Sequence, residues 1–350
     1  MKPLDLKKAK FSNIDGIINI ELKKKIPKKL YKYYSLNEKS KENLKNNTLF
    51  FTHPHLLNDL MDGNFMLWNI DELIKSYMED TSSKENECEL KIKILKQLIN
   101  ENLKYHGVLS LTKDYDNNLM WPHYTQENGF CIELETNSLL KDLEQLDCEN
   151  YLYPISYIRA LETINIMDYS TCYETNGNKE YDIKLPILYS LAVKDFNWKY
   201  EKEWRIFFTD RRILSNFTNH LDIIDDTEKQ IQREELKKRN IKIKKNTIKN
   251  IILAPYFFNN DRFNKASSEL DIEVYLFKQF DEINILKEFL RILKFDYNNR
   301  ITQIDFLVNK AKNKLDRKIR YKIEILEIGE SFVKIKRDVL KDTILKGLSP

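Results

Sequence analysis

Apolar residues recur at two spacings along this 350-residue chain, and each spacing predicts a type of secondary structure. Short apolar or alternating runs are typical of strands, whereas spacings of three and four are typical of helices. Aromatic and apolar runs predict strands at 29–35, 48–52, 108–112, 129–134, 151–158, 198–208, 248–253, 321–326 and 332–336. Helical spacings occur at 36–46, on both sides of a polar break within 70–103, and at 185–193, 262–270 and 281–320.

This mixture predicts the α+β class, with a central mixed β-sheet, flanking helices and a helical C-terminal extension. We expect three parts: a basic N-terminal arm at 1–28, a motif-bearing α+β domain at 29–280, and a mainly helical extension at 281–350. Within the arm, residues 14–22 are amphipathic and fit a short helix or an extended arm. Residues 226–247 are a highly charged excursion from the domain.

Glycine is unusually scarce in this chain. It has 7 glycines, where average usage of about 7% would give roughly three times as many. The seven glycines are far apart in the sequence, so neither a Walker-type phosphate loop nor a GxGxxG fingerprint can be drawn. The common glycine-loop nucleotide enzymes are therefore excluded. Any nucleotide must be recognised by side chains.

The charge and the cysteine content narrow the possible classes of protein further. The net charge of +4 does not indicate general nucleic-acid binding, although basic runs at 7–10, 23–29, 237–245 and 310–320 leave nucleic acid open. The four cysteines form no CxxC pair, which favours a reduced cytoplasmic protein and predicts no metal centre. No secretory signal and no stretch of 18 apolar residues occurs, so we expect no membrane partner.

Two short segments carry candidate chemistry before residue 130. The loop at 57–63 places Asn58, Asp59 and Asp62 beside a turn glycine, which fits backbone capping or contact with a ligand or cation. The segment at 118–124 offers Trp121 and Tyr124 for stacking and His123 as a titratable imidazole. The alternative for this second segment is a core role for Trp121 and an inert, hydrogen-bonded His123.

The segment Tyr200–Arg205 is the third candidate. Period-two alternation places Glu201, Glu203 and Arg205 on one face of a strand, where Arg205 can pair with Glu203. One interpretation is an ion-pair ladder on a sheet surface, which contributes little if exposed. The other is a glutamate at a cleft edge that contacts a ribose hydroxyl or acts as a general base.

The order of these segments resembles a widespread bacterial family of unknown function with KYRSL, FNDPFD, LMWSHY and YEKEWR motifs. Here the corresponding segments read KYYSL from Lys32, LNDLMD from Leu57, LMWPHY from Leu119 and YEKEWR from Tyr200. The arginine of the first motif is Tyr34 here, and the serine of the third is Pro122. The resemblance covers about 29–275 and implies an association with mobile-element and phage-defence genes, including abortive infection.

A second resemblance concerns layout. An N-terminal aromatic strand and a late strand bearing Glu-x-Glu are similar to the arrangement in NAD-using ADP-ribosyltransferases, which need no GxGxxG loop. This likeness implies that Glu203 is the catalytic glutamate, that Glu201 is its upstream partner, and that Tyr31 or Tyr33 stacks on nicotinamide. NAD would then be a substrate, and no cofactor is assigned.

Three functional hypotheses follow. The first is an intracellular defence or toxin-type effector that uses NAD, with catalytic Glu203, Glu201 and His123. Its substrate-binding residues would be Tyr31, Tyr33, Asn58, Asp59, Asp62, Trp121, Tyr124 and Arg205. The second is a non-enzymatic sensor or partner-binding module that binds a protein or nucleic acid through charged C-terminal helices. The third is a metal-dependent nuclease that uses Asp59, Asp62, His123 and Glu203.

Overall fold

The computed structural model describes the chain in ten stretches, which are 2–14, 16–59, 61–81, 86–94, 106–126, 128–146, 148–175, 178–209, 239–309 and 314–340. Backbone contacts divide the chain into two units. The first unit comprises Met1–Ile26, Leu49–Leu111 and Leu143–Ile241; the second comprises Pro27–Thr48, Thr112–Asp142 and Lys242–Pro350. Each unit is thus assembled from separated parts of the chain, and the predicted domain boundaries near 28 and 280 stay predictions.

The strands, numbered in chain order, are β1 (Leu4–Asp5), β2 (Ala9–Ile14), β3 (Ile17–Leu22), β4 (Lys29–Tyr34), β5 (Thr48–Phe50), β6 (Trp68–Asn69), β7 (His106–Thr112), β8 (Phe130–Glu135), β9 (Glu149–Pro154), β10 (Ser156–Ile158), β11 (Ile164–Asn165), β12 (Thr171–Thr175), β13 (Asn178–Asp182), β14 (Val193–Asp195), β15 (Glu203–Thr209), β16 (Asn240–Lys242), β17 (Ile248–Leu253), β18 (Phe263–Glu269), β19 (Ile272–Phe277), β20 (Ile301–Asn309), β21 (Lys314–Ile328) and β22 (Phe332–Val339).

Helices connect many of these strands. The α-helices are Glu38–Asn46, Asp71–Thr81, Met120–Thr125, Thr136–Glu144, Lys184–Ala192 and Ile283–Tyr297, and residues 87–94 are also helical. Short 3₁₀ helices lie at Pro54–Leu56, Phe65–Leu67, Ile166–Tyr169, Phe196–Glu201, Lys245–Thr247 and Asn298–Arg300. No helix among the described residues is long and apolar enough to cross a bilayer.

The second unit is built on a mixed sheet, which confirms the predicted α+β class. Its strands follow the order β18-β19-β22-β21-β20-β17-β8-β4, in which β17 and β20 are parallel and every other neighbouring pair is antiparallel. The helix Ile283–Tyr297 covers one face of this sheet, where the rings of Phe289 and Phe130 lie 4.8 Å apart. This helix buries one apolar stripe, as its helical spacing predicts.

The first unit is organised around β15, which lies between β7 and β9 in strand order. Six of its seven residues are buried, so neither face of this strand meets water. The helix Lys184–Ala192 is buried along almost its whole length and belongs to the same apolar core as Tyr153 and Phe207. An apolar environment of this kind surrounds any charged side chain that β15 carries.

The N-terminal residues differ from the expected basic arm. β1, β2 and β3 form an antiparallel sheet over residues 4–22, and the alternation of Ala9 and Phe11 with polar neighbours explains it. Phe11 is fully buried and its ring meets that of Tyr153 edge-on at 5.5 Å. This segment therefore contributes to the core of the first unit.

Two helical predictions near the C-terminus require correction. Within the predicted helix 262–270, Phe263–Glu269 form the edge strand β18. Only Phe263 of this strand is buried, so no alternation of buried and exposed residues marks it as a strand. The sequence pattern predicts one helical region over 281–320. The structure has a helix at Ile283–Tyr297, and the strands β20 and β21 occupy most of the residues that follow it. Within the charged excursion, 226–238 lie outside the described residues.

Gly129 allows β4 and β8 to approach closely, and we expect Gly129→Ala to lower the free energy of unfolding by about 2 kcal/mol. A Cβ at this position would lie 1.9 Å from the backbone oxygen of Tyr34, so the backbone would have to shift. Urea denaturation followed by circular dichroism measures the loss. Lys249→Ala, at the one exposed position of β17, is the control, and equal stability of the two variants would contradict this close approach.

Candidate functional site

Five charged side chains form one buried cluster in the first unit. They are Asp62, Lys194, Glu201, Glu203 and Arg205, and none is more than 5% exposed. The loop after Phe51, the strand β14, a 3₁₀ helix and β15 supply them. Three carboxylates face two cations, so the cluster carries one excess negative charge when all five groups are ionised.

The local backbone explains why two glutamates reach this cluster from consecutive elements. The 3₁₀ helix Phe196–Glu201 ends at Lys202, which has φ of 48° and donates its backbone N–H to the Lys199 carbonyl oxygen. The strand therefore begins at Glu203. The alternation in the sequence predicts an earlier start, near Trp198. Glu203 and Arg205 share a face of β15, but Glu201 belongs to the preceding turn.

Arg205 is fully buried and all five of its N–H groups have acceptors. Its Nε and Nη2 donate to Glu203 at 2.6 and 3.1 Å, and its Nη1 and Nη2 donate to Asp62 at 2.8 and 2.7 Å. The remaining Nη1 hydrogen goes to the Leu191 carbonyl oxygen at 2.9 Å. The predicted Arg205–Glu203 pair is confirmed, as part of a double fork that also includes Asp62.

Glu203 is held in its ionised form. Burial disfavours the charged carboxylate, but the charges of Arg205 and Lys194, with hydrogen bonds from Arg205 and Ser110, outweigh burial and lower its pKa to about 2. The Glu203 backbone N–H donates to the Tyr157 hydroxyl at 2.8 Å. A carboxylate with such a pKa does not collect a proton at neutral pH, so it acts as a fixed hydrogen-bond acceptor and negative charge.

The pKa of Asp62 shifts in the opposite direction to that of Glu203. Burial raises the pKa of Asp62, because desolvation outweighs the attraction of Arg205. The charges of Asp62 and Glu203 instead raise the pKa of Arg205 well above its usual range, despite its burial. Arg205 is therefore a permanent cation between two carboxylates of different acidity.

Lys194 connects the cluster to a pair of aromatic rings. Its Nζ lies 2.8 Å from Glu201 Oε2 and 3.5 Å from Glu203 Oε2, and 4.6 Å from the centre of the Trp198 ring. The rings of Trp198 and Tyr200 are 6.2 Å apart, and both side chains are partly exposed. This edge offers a surface on which a planar group could stack beside the carboxylates of the cluster.

The other predicted residues of the 57–63 loop have a different role. Asp59 Oδ1 accepts the backbone N–H of Met61 at 3.1 Å, and the Asp59 carbonyl oxygen accepts that of Asp62. This is the capping interpretation, and Gly63, with φ of +66°, completes the turn. Asn58 is exposed. The loop thus holds Asp62 at the cluster.

The remaining predicted site residues lie in the second unit. Tyr31 and Tyr33 are nearly buried on β4, with Tyr33 donating its hydroxyl to the Asp114 carbonyl oxygen at 3.3 Å. The segment 120–125 is a helix in which Trp121 is buried and meets Tyr33 edge-on at 4.8 Å. Tyr124 is partly exposed and His123 is exposed. The core interpretation of Trp121 agrees with this burial.

Sequence reasoning missed Lys194. A lysine that directly follows the apolar segment 185–193 is placed where the chain is leaving the core, and the pattern alone does not show that it stays buried. Lys194 is only 1% exposed. Burial lowers the pKa of Lys194, but the charges of Glu203 and Asp62 outweigh burial and raise it, and both partners lie elsewhere in the sequence. The signal that could have found it is a cation placed directly after a fully apolar helix.

Residues 120–206 match a family model described as a protein of unknown function (DUF2971). This stretch contains all of the LMWPHY segment except Leu119, and the YEKEWR segment with both glutamates of the cluster. Comparisons with curated proteins and with solved structures found no match. In the stretches that the structure describes, no three His, Cys, Asp or Glu side chains are grouped to hold a metal ion.

Proposed function

We propose that the protein is an intracellular effector of the defence or toxin type that binds a nucleotide such as NAD and transfers or cleaves its ADP-ribose. The resemblance to a family associated with phage defence supports the biological role. The scarcity of glycine supports recognition by side chains. The buried cluster in the first unit supports the chemistry.

The observation that carries this proposal is the excess of carboxylates over cations in the buried cluster, in which Glu203 is held ionised. Breaking the bond between nicotinamide and ribose develops positive charge on the ribose, as in glycoside hydrolysis. Fixed negative charge in a buried site stabilises such a transition state, because the site needs no reorganisation during the reaction. With a pKa of about 2, Glu203 supplies this charge throughout the physiological pH range.

The arrangement suggests a division of roles. Trp198 and Tyr200 form the stacking surface for a nicotinamide or adenine ring, and Glu201 accepts a hydrogen bond from a ribose hydroxyl. Glu203 supplies negative charge, and Arg205 with Asp62 is a positioning pair that fixes the orientation of Glu203. In hydrolysis, water adds to the ribose carbon, nicotinamide leaves with the bonding electron pair, and one proton is released to solvent.

NAD turnover by the purified full-length chain tests the proposal. We expect Glu203→Gln to reduce the rate about 100-fold, the usual effect of removing one preorganised electrostatic group. Glu149→Gln is the control, since Glu149 is an exposed ion-pair partner of Lys184 in the same unit. Circular dichroism and thermal unfolding show whether each variant is folded.

Because Glu203→Gln also changes the packing of Arg205, Glu201→Gln and calorimetric titration of NAD into the wild type accompany it. Turnover that is unchanged in both glutamine variants contradicts the assignment. Absence of both NAD binding and NAD turnover in the folded wild type contradicts the choice of NAD. Loss of turnover in a folded Glu201→Gln protein, with NAD binding retained, supports it.

The second candidate is the partner-binding module. Phe295 is 78% exposed on the helix Ile283–Tyr297, an unusual position for a large aromatic side chain. In a bacterial growth assay under phage challenge, this candidate predicts that Phe295→Ser removes protection while Glu203→Gln leaves it intact. The NAD-using effector predicts the reverse.

A further inference from the structure

One face of the second unit's sheet carries a row of polar and aromatic side chains. Opposed residues in neighbouring strands share a face, so Tyr31, Glu133 and Asn250 lie on the same face of β4, β8 and β17. By the same register, Thr302 and Arg320 continue this row on β20 and β21. The opposite face is the one that packs against the helix Ile283–Tyr297.

Arg320 is the unusual member of this row. It is partly buried, its Nη2 donates to Thr302 Oγ1 at 3.3 Å, and its Nη1 lies 3.5 Å from the Tyr115 hydroxyl. Its guanidinium lies over the Tyr115 ring, 5.1 Å from the ring centre. Its Nε is buried and has no hydrogen-bond acceptor among the residues that the structure describes.

No carboxylate within the described part of the chain lies at ion-pair distance from Arg320. Glu133, which is on the same sheet face, pairs with Lys29 at 2.6 Å. Arg337 in the same unit pairs with Asp305 at 2.8 Å and with Glu273 at 3.0 Å. Charges that lose much of their contact with water are normally paired, so a partly buried arginine whose described partners are all neutral is unusual.

The neutral groups around Arg320 orient it without compensating its charge. When the Asn250 amide is turned so that its oxygen faces Arg320, that oxygen accepts from Nη2 at 2.6 Å and from Thr302 Oγ1 at 2.7 Å. The Tyr31 and Tyr115 rings lie 5.0 Å apart at 46°, beside the guanidinium. Lys322, two residues further along β21, is exposed and adds positive charge on the same side.

We propose that Arg320, Tyr115 and Thr302 form an anion site that takes the phosphoryl group of a small phosphorylated ligand. The planar guanidinium suits a tetrahedral oxyanion, and the Tyr115 hydroxyl is a further donor. The partly exposed Tyr115 ring can support a planar group attached to the phosphate. This site is separate in its residues from the carboxylate cluster and does not depend on the proposed NAD chemistry.

Calorimetric titration of the full-length protein with inorganic phosphate, adenosine monophosphate and adenosine tests the site. We expect the wild type to bind both phosphate-bearing probes and Arg320→Gln to bind them at least about tenfold more weakly. Arg291→Gln is the matched control, because Arg291 is exposed on the helix Ile283–Tyr297 and its loss changes the net charge equally. Adenosine, which lacks the phosphate, should not bind measurably.

The probes also separate two sources of the phosphoryl group. Tighter binding of adenosine monophosphate than of inorganic phosphate indicates a nucleotide held on Tyr115; equal binding indicates a site for phosphate alone. Phosphate should raise the melting temperature of the wild type but not that of Arg320→Gln. Without phosphate the two proteins should melt at the same temperature, because Arg320 has no counter-ion among the described residues. Equal binding by wild type and Arg320→Gln, or no binding by a folded wild type, would overturn the proposal.

Discussion

Replacing Arg205 with methionine should lower the free energy of unfolding by about 3–5 kcal/mol. The change leaves three buried carboxylates, Asp62, Glu201 and Glu203, with Lys194 as the single remaining cation of the cluster. Asp62 loses both of its bonds to the guanidinium, and the Leu191 carbonyl oxygen loses a donor. Urea denaturation followed by tryptophan fluorescence measures the loss at pH 7.

Two further variants isolate the cause of that loss. Arg159→Met removes an exposed arginine of the same unit and should change stability by less than about 0.5 kcal/mol. Adding Asp62→Asn to Arg205→Met should recover part of the stability, since it removes a stranded charge. If Arg205→Met is as stable as Arg159→Met, the double fork does not stabilise the first unit.

Acid should destabilise the first unit through Glu203 more than through any exposed carboxylate. A carboxyl group whose folded pKa is lowered contributes stability above its unfolded pKa and loses it as the pH falls through the folded value. For Glu203 the interval runs from 4.5 down to about 2, which corresponds to about 3 kcal/mol. The raised pKa of Asp62 acts in the opposite direction, because protonation relieves its burial.

Comparison with Glu203→Gln separates this effect from Asp62 and from the exposed acids. We expect the wild type to lose about 3 kcal/mol more stability than Glu203→Gln between pH 5 and pH 2, measured by urea denaturation at each pH. Glu149→Gln should follow the wild type. Parallel curves for the wild type and Glu203→Gln would show that Glu203 is not held ionised by Arg205 and Lys194.

Alternation and apolar runs predicted the elements whose buried residues follow a regular pattern in the sequence. β4, with its alternating tyrosines, and the helix Lys184–Ala192, with its continuous apolar run, occur where the sequence places them. The edge strand β18 could not be found this way, because six of its seven residues are exposed. In β20, Ile301 and Ile304 have a helical spacing, and only pairing with distant strands makes that segment extended.

The same limit applies to the site. The Arg205–Glu203 pair lies two residues apart on one strand, so its spacing predicted it. Asp62 is 143 residues from Arg205, and no local pattern reveals their two hydrogen bonds. The resemblance to the bacterial family drew attention to both the 57–63 loop and the YEKEWR segment. The cluster that joins them depends on tertiary packing and on Lys194, which neither motif contains.

The most direct test of the account is the pH dependence of NAD turnover between pH 5 and pH 8. If Glu203 is a fixed negative charge, with its pKa at about 2, the rate has no acid limb that depends on Glu203 in this range. The Glu203→Gln profile should then be lower but parallel to that of the wild type. An acid limb with an apparent pKa of about 5–7 that disappears in Glu203→Gln would contradict the account, as would a folded wild type that leaves NAD intact.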